Sequence, residues 1–261
     1  MKITTFLALF FMSQALTLPA EDWPNWRGPR HDGISREKDW VADFSKIAWR
    51  ANVGVGFSSM AVADGRVFTL GCTGKRRGNE ETFYALNAAT GKVLWKDTYP
   101  AALVDYLHEG GPCATPTIDG SRVIGQSKDG RLTCYSIGSG RKLWTVNLME
   151  KAGLARPPEW GFAASPFVLG NLLIVEATFT LALDKLTGKE VWRSQVYRPA
   201  YGSPVAFTFK GKTYLATLKT DGLVILDASN GKTVAFEKWT TSFRTNSTTP
   251  IVLGNRVFVS T

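Results

Sequence analysis

An internal repeat of 43 to 49 residues constrains the fold of this chain more than any other feature of its sequence. The repeat reads Ala-Leu-Asp-x-x-Thr-Gly-Lys-x-x-Trp, and it is seen best at residues 182–192, with related copies at 85–95, 134–144 and 225–235. A second motif, a Ser or Thr followed in most copies by Pro, recurs upstream. Periods of this length are typical of propellers and solenoids.

The pattern within one repeat is that of β-strands. Between Pro116 and Leu148, a short strand is predicted at 116–118 and longer strands at 122–127, 131–137 and 142–148. Asp-Gly and Gly-rich pairs separate these runs, and such turns favour hairpins because they need positive φ angles. No stretch beyond the N-terminus shows helical periodicity. The sequence therefore predicts an all-β protein, a β-propeller of four-stranded antiparallel blades.

A tryptophan stands four residues after the turn glycine in three copies of the repeat, and the fourth copy has Ala235 in its place. These repeat positions are Gly91, Trp95, Gly140, Trp144, Gly188, Trp192 and Gly231. The indoles could form a stacking platform for a ligand or large apolar wedges between neighbouring blades. The same placement in three successive copies favours wedges, and we expect the fourth blade to pack differently.

The N-terminus has the pattern of a secretory signal peptide. Lys2 is followed by an apolar run of about ten residues and then by Ser13-Gln14-Ala15. The run is shorter than the roughly 20 residues that span a bilayer as a helix. The sequence therefore predicts a signal peptide over residues 1–20, export to the periplasm or the extracellular space, and no membrane span in the mature chain.

The pattern at Ala182–Trp192 resembles the repeat of the pyrroloquinoline-quinone (PQQ)-like β-propellers. The segment WPNWRGPRHDG at 23–33, followed by such repeats, is similar to exported PQQ-like repeat proteins of planctomycetes. The resemblance covers residues 56–261, where the repeats account for four blades and the start of a fifth, and it implies a closed ring of eight. We therefore expect a C-terminally truncated fragment, a partial ring. Within residues 21–55, Ile47-Ala48-Trp49-Arg50 is expected to supply a ring-closing outer strand.

One end of the propeller is the candidate binding face. Loops from the outer strand of one blade to the inner strand of the next should share this end with the loops between the two middle strands. Function often resides in loops held by a rigid scaffold, although ordinary solvated loops are the alternative for any single residue. The candidate residues are Tyr106, His108, Glu109, Arg156, Trp160, Arg198, Tyr201, Trp239 and Arg244.

Catalytic signals are weak. A quinoprotein dehydrogenase binds PQQ and calcium, and members of that class usually carry adjacent cysteines, whereas Cys72, Cys113 and Cys134 are far apart in the sequence. No phosphate-binding loop, zinc motif or nucleophile elbow occurs. We therefore predict no catalytic residues, no cofactor and no bound metal. Cys113 and Cys134 are expected to be buried thiols, with Cys113 on an inner strand and Cys72 in a loop.

The charge and the export signal limit the partners. The formal net charge is +9, which would attract anionic envelope surfaces or acidic glycans, but lysines scattered among the turns explain it as well. Nucleic acid is excluded as a partner for an exported chain. The predicted function is a non-catalytic module that binds an envelope protein or a glycan or acts as a scaffold. A PQQ- and calcium-dependent quinoprotein dehydrogenase and an assembly factor for outer-membrane proteins are the alternatives.

Overall fold

The fold is a succession of four-stranded antiparallel sheets, as the repeat predicts. The computed structural model describes residues 20–38, 43, 45–73, 80–101 and 109–260. In this part of the chain, eighteen strands form four sheets of four strands and one sheet of two, and there is one short helix. Each sheet takes its strands in chain order, so one sheet corresponds to one sequence repeat and is called a blade below.

The strands of each blade run from the inner to the outer edge. Blade 1 contains β1 (Ala61–Ala63), β2 (Arg66–Cys72), β3 (Glu80–Asn87) and β4 (Val93–Pro100). Blade 2 contains β5 (Thr117–Asp119), β6 (Arg122–Gln126), β7 (Arg131–Ser136) and β8 (Lys142–Asn147). Blade 3 contains β9 (Phe167–Leu169), β10 (Leu172–Glu176), β11 (Thr180–Asp184) and β12 (Glu190–Arg193). Blade 4 contains β13 (Val205–Phe209), β14 (Lys212–Lys219), β15 (Gly222–Asp227) and β16 (Thr233–Lys238). Blade 5 is the hairpin of β17 (Ile251–Leu253) and β18 (Arg256–Phe258).

A helix of five residues, α1 (Leu148–Ala152), follows β8 and was not predicted. The strand predicted to reach Leu148 ends instead at Asn147, whose side-chain oxygen accepts hydrogen bonds from the Met149 and Glu150 amides. Asn147 also donates to Glu150 at 2.9 Å. Asn147 is thus the N-cap of the helix, and the Asn-x-x-Glu spacing was the signal for it in the sequence.

The repeated turn is held by its Asp and its Gly. In blade 3, Asp184 Oδ1 accepts hydrogen bonds from the Thr187 amide at 2.8 Å and the Leu186 amide at 3.1 Å. The Thr187 hydroxyl also donates to this carboxylate, and that bond is the main reason why the pKa of Asp184 is lowered. Gly188 follows with a φ of 70°, a conformation that glycine adopts without strain. The motif is therefore a turn signal with a physical basis.

Each repeated tryptophan is a wedge between blades, as predicted. A Cβ built on Gly140 would lie 2.6 Å from the Trp95 ring of the preceding blade, and one built on Gly188 would lie 2.9 Å from the Trp144 ring. The Trp95 indole donates to the Ile137 carbonyl at 3.0 Å. The hydrogen bond from the indole N–H thus holds the Trp95 ring against a turn that has no room for a side chain.

The same contact recurs at both ends of the series. Trp192 packs over Gly231, where a Cβ would lie 2.4 Å from its ring. Trp49 packs over Gly91 at the same 2.4 Å and donates to the Ala88 carbonyl at 2.8 Å. Residues 47–50, which were expected to supply a ring-closing outer strand, pair with no strand in the described part of the chain, and that role stays a prediction. The wedge contact forms without that strand.

The hydrophobic core lies between the blades. One cluster joins blades 1 and 2, a second joins blades 2 and 3, and a third joins blades 3 and 4. In blade 4, where Ala235 replaces the tryptophan, Val234 and Phe236 on β16 are 52% and 47% exposed. The outer strands of blades 1 and 3 expose Val93 and Val191 to the same degree, at 53%, so these exposures do not set blade 4 apart, and its different packing stays a prediction.

Two predictions concern segments that the structure describes only in part. Residues 1–19, nearly all of the predicted signal peptide, lie outside the described residues. None of the helices in the described ranges has the length and apolar character needed to cross a bilayer. The division into a signal peptide, an N-terminal segment and a repeat region therefore stays a prediction.

Candidate functional site

The loops between blades meet the loops between middle strands at one end of the molecule. The Phe162 amide, in the loop that leads into blade 3, donates to the Lys128 carbonyl in the middle-strand turn of blade 2 at 2.8 Å. The Thr220 amide, in the corresponding turn of blade 4, donates to the Arg198 carbonyl at 3.3 Å. These contacts create the shared face on which the candidate residues were placed.

Four of the candidate residues gather around blade 4. Arg198 forms a two-pronged ion pair with Asp221, with 2.9 Å between Arg198 Nε and Asp221 Oδ2. The Trp239 amide donates to the Asp221 carbonyl at 3.1 Å. The hydrogen bonds from Arg198 lower the pKa of Asp221, and the nearby Arg244 and Lys238 charges lower it further. One carboxylate is thus surrounded by three cations.

A buried asparagine ties these loops together. Asn246 donates through Nδ2 to the Lys219 carbonyl at 2.8 Å and to the Trp239 carbonyl at 3.1 Å. The main-chain carbonyl of Asn246 accepts a hydrogen bond from the Tyr201 amide at 2.9 Å. Tyr201 thereby joins Arg198 and Trp239 in one assembly. Asn246 was not among the predicted residues, because a single asparagine in a loop carries no pattern that indicates burial.

The outer surface of this assembly is both apolar and basic. Trp239 is 42% exposed and Phe243, at the tip of its loop, is 88% exposed. Arg244 follows with a φ of 54°, which is unusual for a residue with a side chain. We call this group the blade-4 cluster. Its members are Arg198, Tyr201, Asp221, Trp239, Phe243 and Arg244.

The remaining candidates lie elsewhere. Glu109 and Arg156 are exposed and Trp160 is half-buried, on the loops that lead into blades 2 and 3. Tyr106 and His108 lie outside the described residues. The role of every candidate in binding stays a prediction.

Two carboxylates are buried beneath the face. Glu81 accepts hydrogen bonds from the Tyr99 hydroxyl at 2.6 Å and the Ser127 hydroxyl at 3.2 Å. Burial raises the pKa of Glu81 to about 7. Glu176 instead forms an ion pair with Lys219 across the boundary between blades 3 and 4, and both side chains are buried. Both carboxylates are buried, and each contacts a side chain of the next blade.

The cysteines differ in part from the prediction. None of the three forms a disulfide among the described residues. Cys134 is buried, as expected, and burial raises its pKa to about 12. Cys72 is not in a loop but at the buried end of β2. Cys113 precedes the inner strand β5 and is only partly buried, because the chain has not yet entered the sheet at that point.

Among the described residues, no three His, Cys, Asp or Glu side chains stand close enough to hold a metal ion together.

Comparison with known proteins places the chain in a family. A family model described as outer membrane protein assembly factor BamB matches residues 37–178 and 177–261. The BamB of Shewanella oneidensis is 26% identical over 179 residues, which cover 66% of this chain and 40% of that protein. The chain therefore spans about two fifths of the length of this curated relative.

Solved structures show the same fold. The crystal structure of BamB from Moraxella catarrhalis gives a TM-score of 0.57 at 21% identity, covering 80% of this chain and 57% of that one. The quinohemoprotein alcohol dehydrogenase from Comamonas testosteroni gives 0.61 at 15% identity, covering 84% and 41%. The propeller is thus common to a named assembly factor and a named dehydrogenase, and the chain belongs to the PQQ-like repeat family described as outer membrane protein assembly factor BamB.

Proposed function

We propose that this protein is an exported binding or scaffold module of the cell envelope that holds a partner protein through the blade-4 cluster. The observation that carries the proposal is an almost fully exposed Phe243 beside a half-exposed Trp239, on a loop that Asn246 fixes to blade 4. Aromatic side chains and arginines dominate the energetics of protein interfaces. A rigid loop that presents both is suited to binding rather than to general solvation.

The charge of the cluster indicates the character of the partner. Arg198, Arg244 and Lys238 surround the single carboxylate of Asp221, so the surface carries excess positive charge. Complementary charge increases the association rate and selects the partner. The proposed partner is an envelope protein with an acidic surface, and an acidic glycan is the competing outcome of the experiment below.

The experiment compares two exposed phenylalanines. A photoreactive phenylalanine analogue is placed at Phe243, and in a matched control at Phe209, which is 45% exposed at the end of β13, at the other end of the blade. After irradiation of intact cells, we expect a discrete protein adduct from position 243 and none from position 209. Equal labelling at both positions, or a glycan adduct alone, would overturn the proposal of a protein partner at this face.

A finer role in the assembly of outer-membrane proteins is supported by the names of the relatives. The family model and the Shewanella relative both carry the name assembly factor BamB. We propose the same role for this chain, and complementation of a bacterial strain that lacks its BamB tests it. Restored levels of outer-membrane barrels are expected, and these should fall again when Trp239 and Phe243 are both replaced by Ala.

The dehydrogenase alternative has its own test. Titration with PQQ and calcium would give a quinone absorbance and alcohol-dependent dye reduction if the chain were a quinoprotein. We expect neither signal. Dye reduction that depends on PQQ, calcium and alcohol would show that the protein is an enzyme and would overturn the proposal of a binding module.

A further inference from the structure

A segment before blade 1, residues 23–33, reaches the innermost strands of several blades. The Trp23 amide donates to the Val62 carbonyl at 2.8 Å, and the Val62 amide donates back to the Trp23 carbonyl at 2.8 Å. The Ile118 amide donates to the Pro24 carbonyl at 2.7 Å. The segment therefore pairs with β1 and β5 on the edges that face away from their own blades. We call residues 23–33 the axial segment.

The same segment continues to the later blades. The His31 ring lies 4.6 Å, between centroids, from the Phe167 ring on β9 of blade 3. The Trp26 indole donates to the Thr249 hydroxyl at the entry to blade 5 at 3.0 Å. A narrow cleft lined by Trp26 and His31 is also lined by Val205 on β13 of blade 4. One short segment thus contacts the inner strands of blades 1, 2 and 3 and the entry to blade 5, and it lines a cleft together with the inner strand of blade 4.

The axial segment also joins a belt formed by the Ser/Thr-Pro motif. The Thr115 amide of blade 2 donates to the Ser165 hydroxyl of blade 3 at 2.9 Å, and the Ser165 amide donates to the Ser203 hydroxyl of blade 4 at 2.9 Å. Thr249 is the corresponding residue of blade 5, and its hydroxyl accepts the Trp26 indole. The repeated hydroxyls link one inner strand to the next, and Trp26 adds the axial segment to that series.

The segment keeps its shape through strained and tightly packed positions. Arg27 and His31 have φ angles of 65° and 56°, and such conformations persist when the surroundings hold them. Gly28 has a φ of 75°, and a Cβ there would lie 2.8 Å from the Trp23 ring. The indole that pairs with blade 1 is therefore packed onto the turn that directs the segment toward blade 3.

We infer that the axial segment acts as an intramolecular ligand of the inner strands. It holds these strands in order and occupies the space along the propeller axis. Inner strands otherwise present unpaired amides and carbonyls toward the axis, and such edges need partners. A consequence is that a partner of this protein binds at the loop face or on the outer surface and not along the axis.

Hydrogen exchange on the full chain tests the inference. Gly28→Ala disturbs the packing of Trp23, while Gly33→Ala is the matched control, because Gly33 has a φ of 76° but a Cβ there would have no atom closer than 3.9 Å. We expect Gly28→Ala to increase exchange about tenfold at Val62 and Ile118 and to increase it also at 165–167 and 203–205. The outer strand at 142–147 should not change.

Two results would contradict the inference. One is an increase confined to residues 20–38 in the Gly28→Ala variant, and the other is an equal increase at the inner strands in both variants. If Gly28→Ala unfolds the whole chain, Trp26→Phe keeps an aromatic ring but removes the donor to Thr249. Faster exchange at 249–253 with unchanged outer strands then supports the inference, and unchanged exchange at 249–253 overturns it.

Discussion

Two blade boundaries, between blades 1 and 2 and between blades 3 and 4, share the same apolar packing but differ in their buried polar groups. Both place an indole over the glycine of the next turn. In the first, the buried Glu81 accepts hydrogen bonds from the Tyr99 and Ser127 hydroxyls and from the Lys128 main-chain amide. In the second, the buried Glu176 meets the Lys219 ammonium. The wedge therefore fixes how blades pack, while the polar groups inside can be neutralised either by a proton or by a counter-ion.

The indole nitrogens differ in the same way. Trp95 donates to the Ile137 carbonyl at 3.0 Å, whereas the buried Nε1 of Trp192 has no acceptor among the described residues. Aromatic packing is also richer at the first boundary, where the Trp95 ring lies within 6 Å of the Phe68, Phe83 and Tyr135 rings. Trp192 therefore packs against the fourth blade without the indole hydrogen bond that Trp49, Trp95 and Trp144 form.

The largest effect is expected from Lys219→Met. This change leaves the Glu176 carboxylate buried without its cation, and breaking a buried pair in this way typically costs about 3–5 kcal/mol of unfolding free energy. Urea denaturation measures the loss. The double variant Glu176→Gln with Lys219→Met should recover most of it, and a double variant as unstable as the single one would show that the ion pair is not the cause.

The pH dependence of Glu81 sharpens the comparison. The folded protein keeps the Glu81 proton up to about pH 7, whereas the unfolded chain loses it near 4.5. The stability contributed by this group is therefore complete below pH 4.5 and is lost as the pH rises toward 7, by about 3 kcal/mol. Lys128 and Asp129 are the charged neighbours in the adjacent turn.

Glu81→Gln tests that dependence. At pH 8 the variant should be more stable than the parent protein, because an amide carries no charge to bury, and near pH 4.5 the two should be similar. Urea unfolding at both values gives the difference. A parent protein whose excess instability at pH 8 survives in Glu81→Gln would assign the effect to another group.

A glycine pair isolates the wedge itself. Gly140→Ala places a methyl group 2.6 Å from the Trp95 ring, while Gly120→Ala has a φ of 54° but open space around the new Cβ. Both variants carry backbone strain, so their difference reports the clash, which we expect to be about 1–3 kcal/mol. Equal destabilisation of the two variants would mean that the indole moves without cost.

The smallest effect concerns the indole hydrogen bond. Trp95→Phe and Trp192→Phe remove similar ring area, but only Trp95→Phe also removes a hydrogen bond, the one to Ile137. Trp95→Phe should be more destabilising by about 1 kcal/mol in thermal or urea unfolding. The opposite order would show that the buried nitrogen of Trp192 is satisfied in solution.

The sequence predicts features that the repeat copies, and misses features that occur once. The turns, the strands of blade 2 and the indole wedges follow from spacing alone, because each copy places the same residue in the same environment. Lys219 and Glu176 read as ordinary polar residues at strand ends, since their burial depends on which blades become neighbours. The Arg198–Asp221 pair joins two loops of different length, and no periodicity relates them.

The candidate face shows the same division. Its position at one end follows from the order of strands within a blade, and the two kinds of loop do meet there. The gathering of Arg198, Tyr201, Trp239 and Arg244 could not be predicted, because it depends on the buried amide of Asn246. The hydroxyls of the Ser/Thr-Pro motif were visible as a recurrence, but their role as links between inner strands needs the three-dimensional arrangement.

The offset of each tryptophan from its own glycine has an evolutionary consequence. A unit contributes the ring to the following unit and the turn to the preceding one, as Trp144 and Gly140 do. The contact is thus heterologous, head to tail. A duplicated gene segment therefore arrives with both complementary halves already encoded, and the array can lengthen by unequal recombination without a new compensating substitution at each added junction.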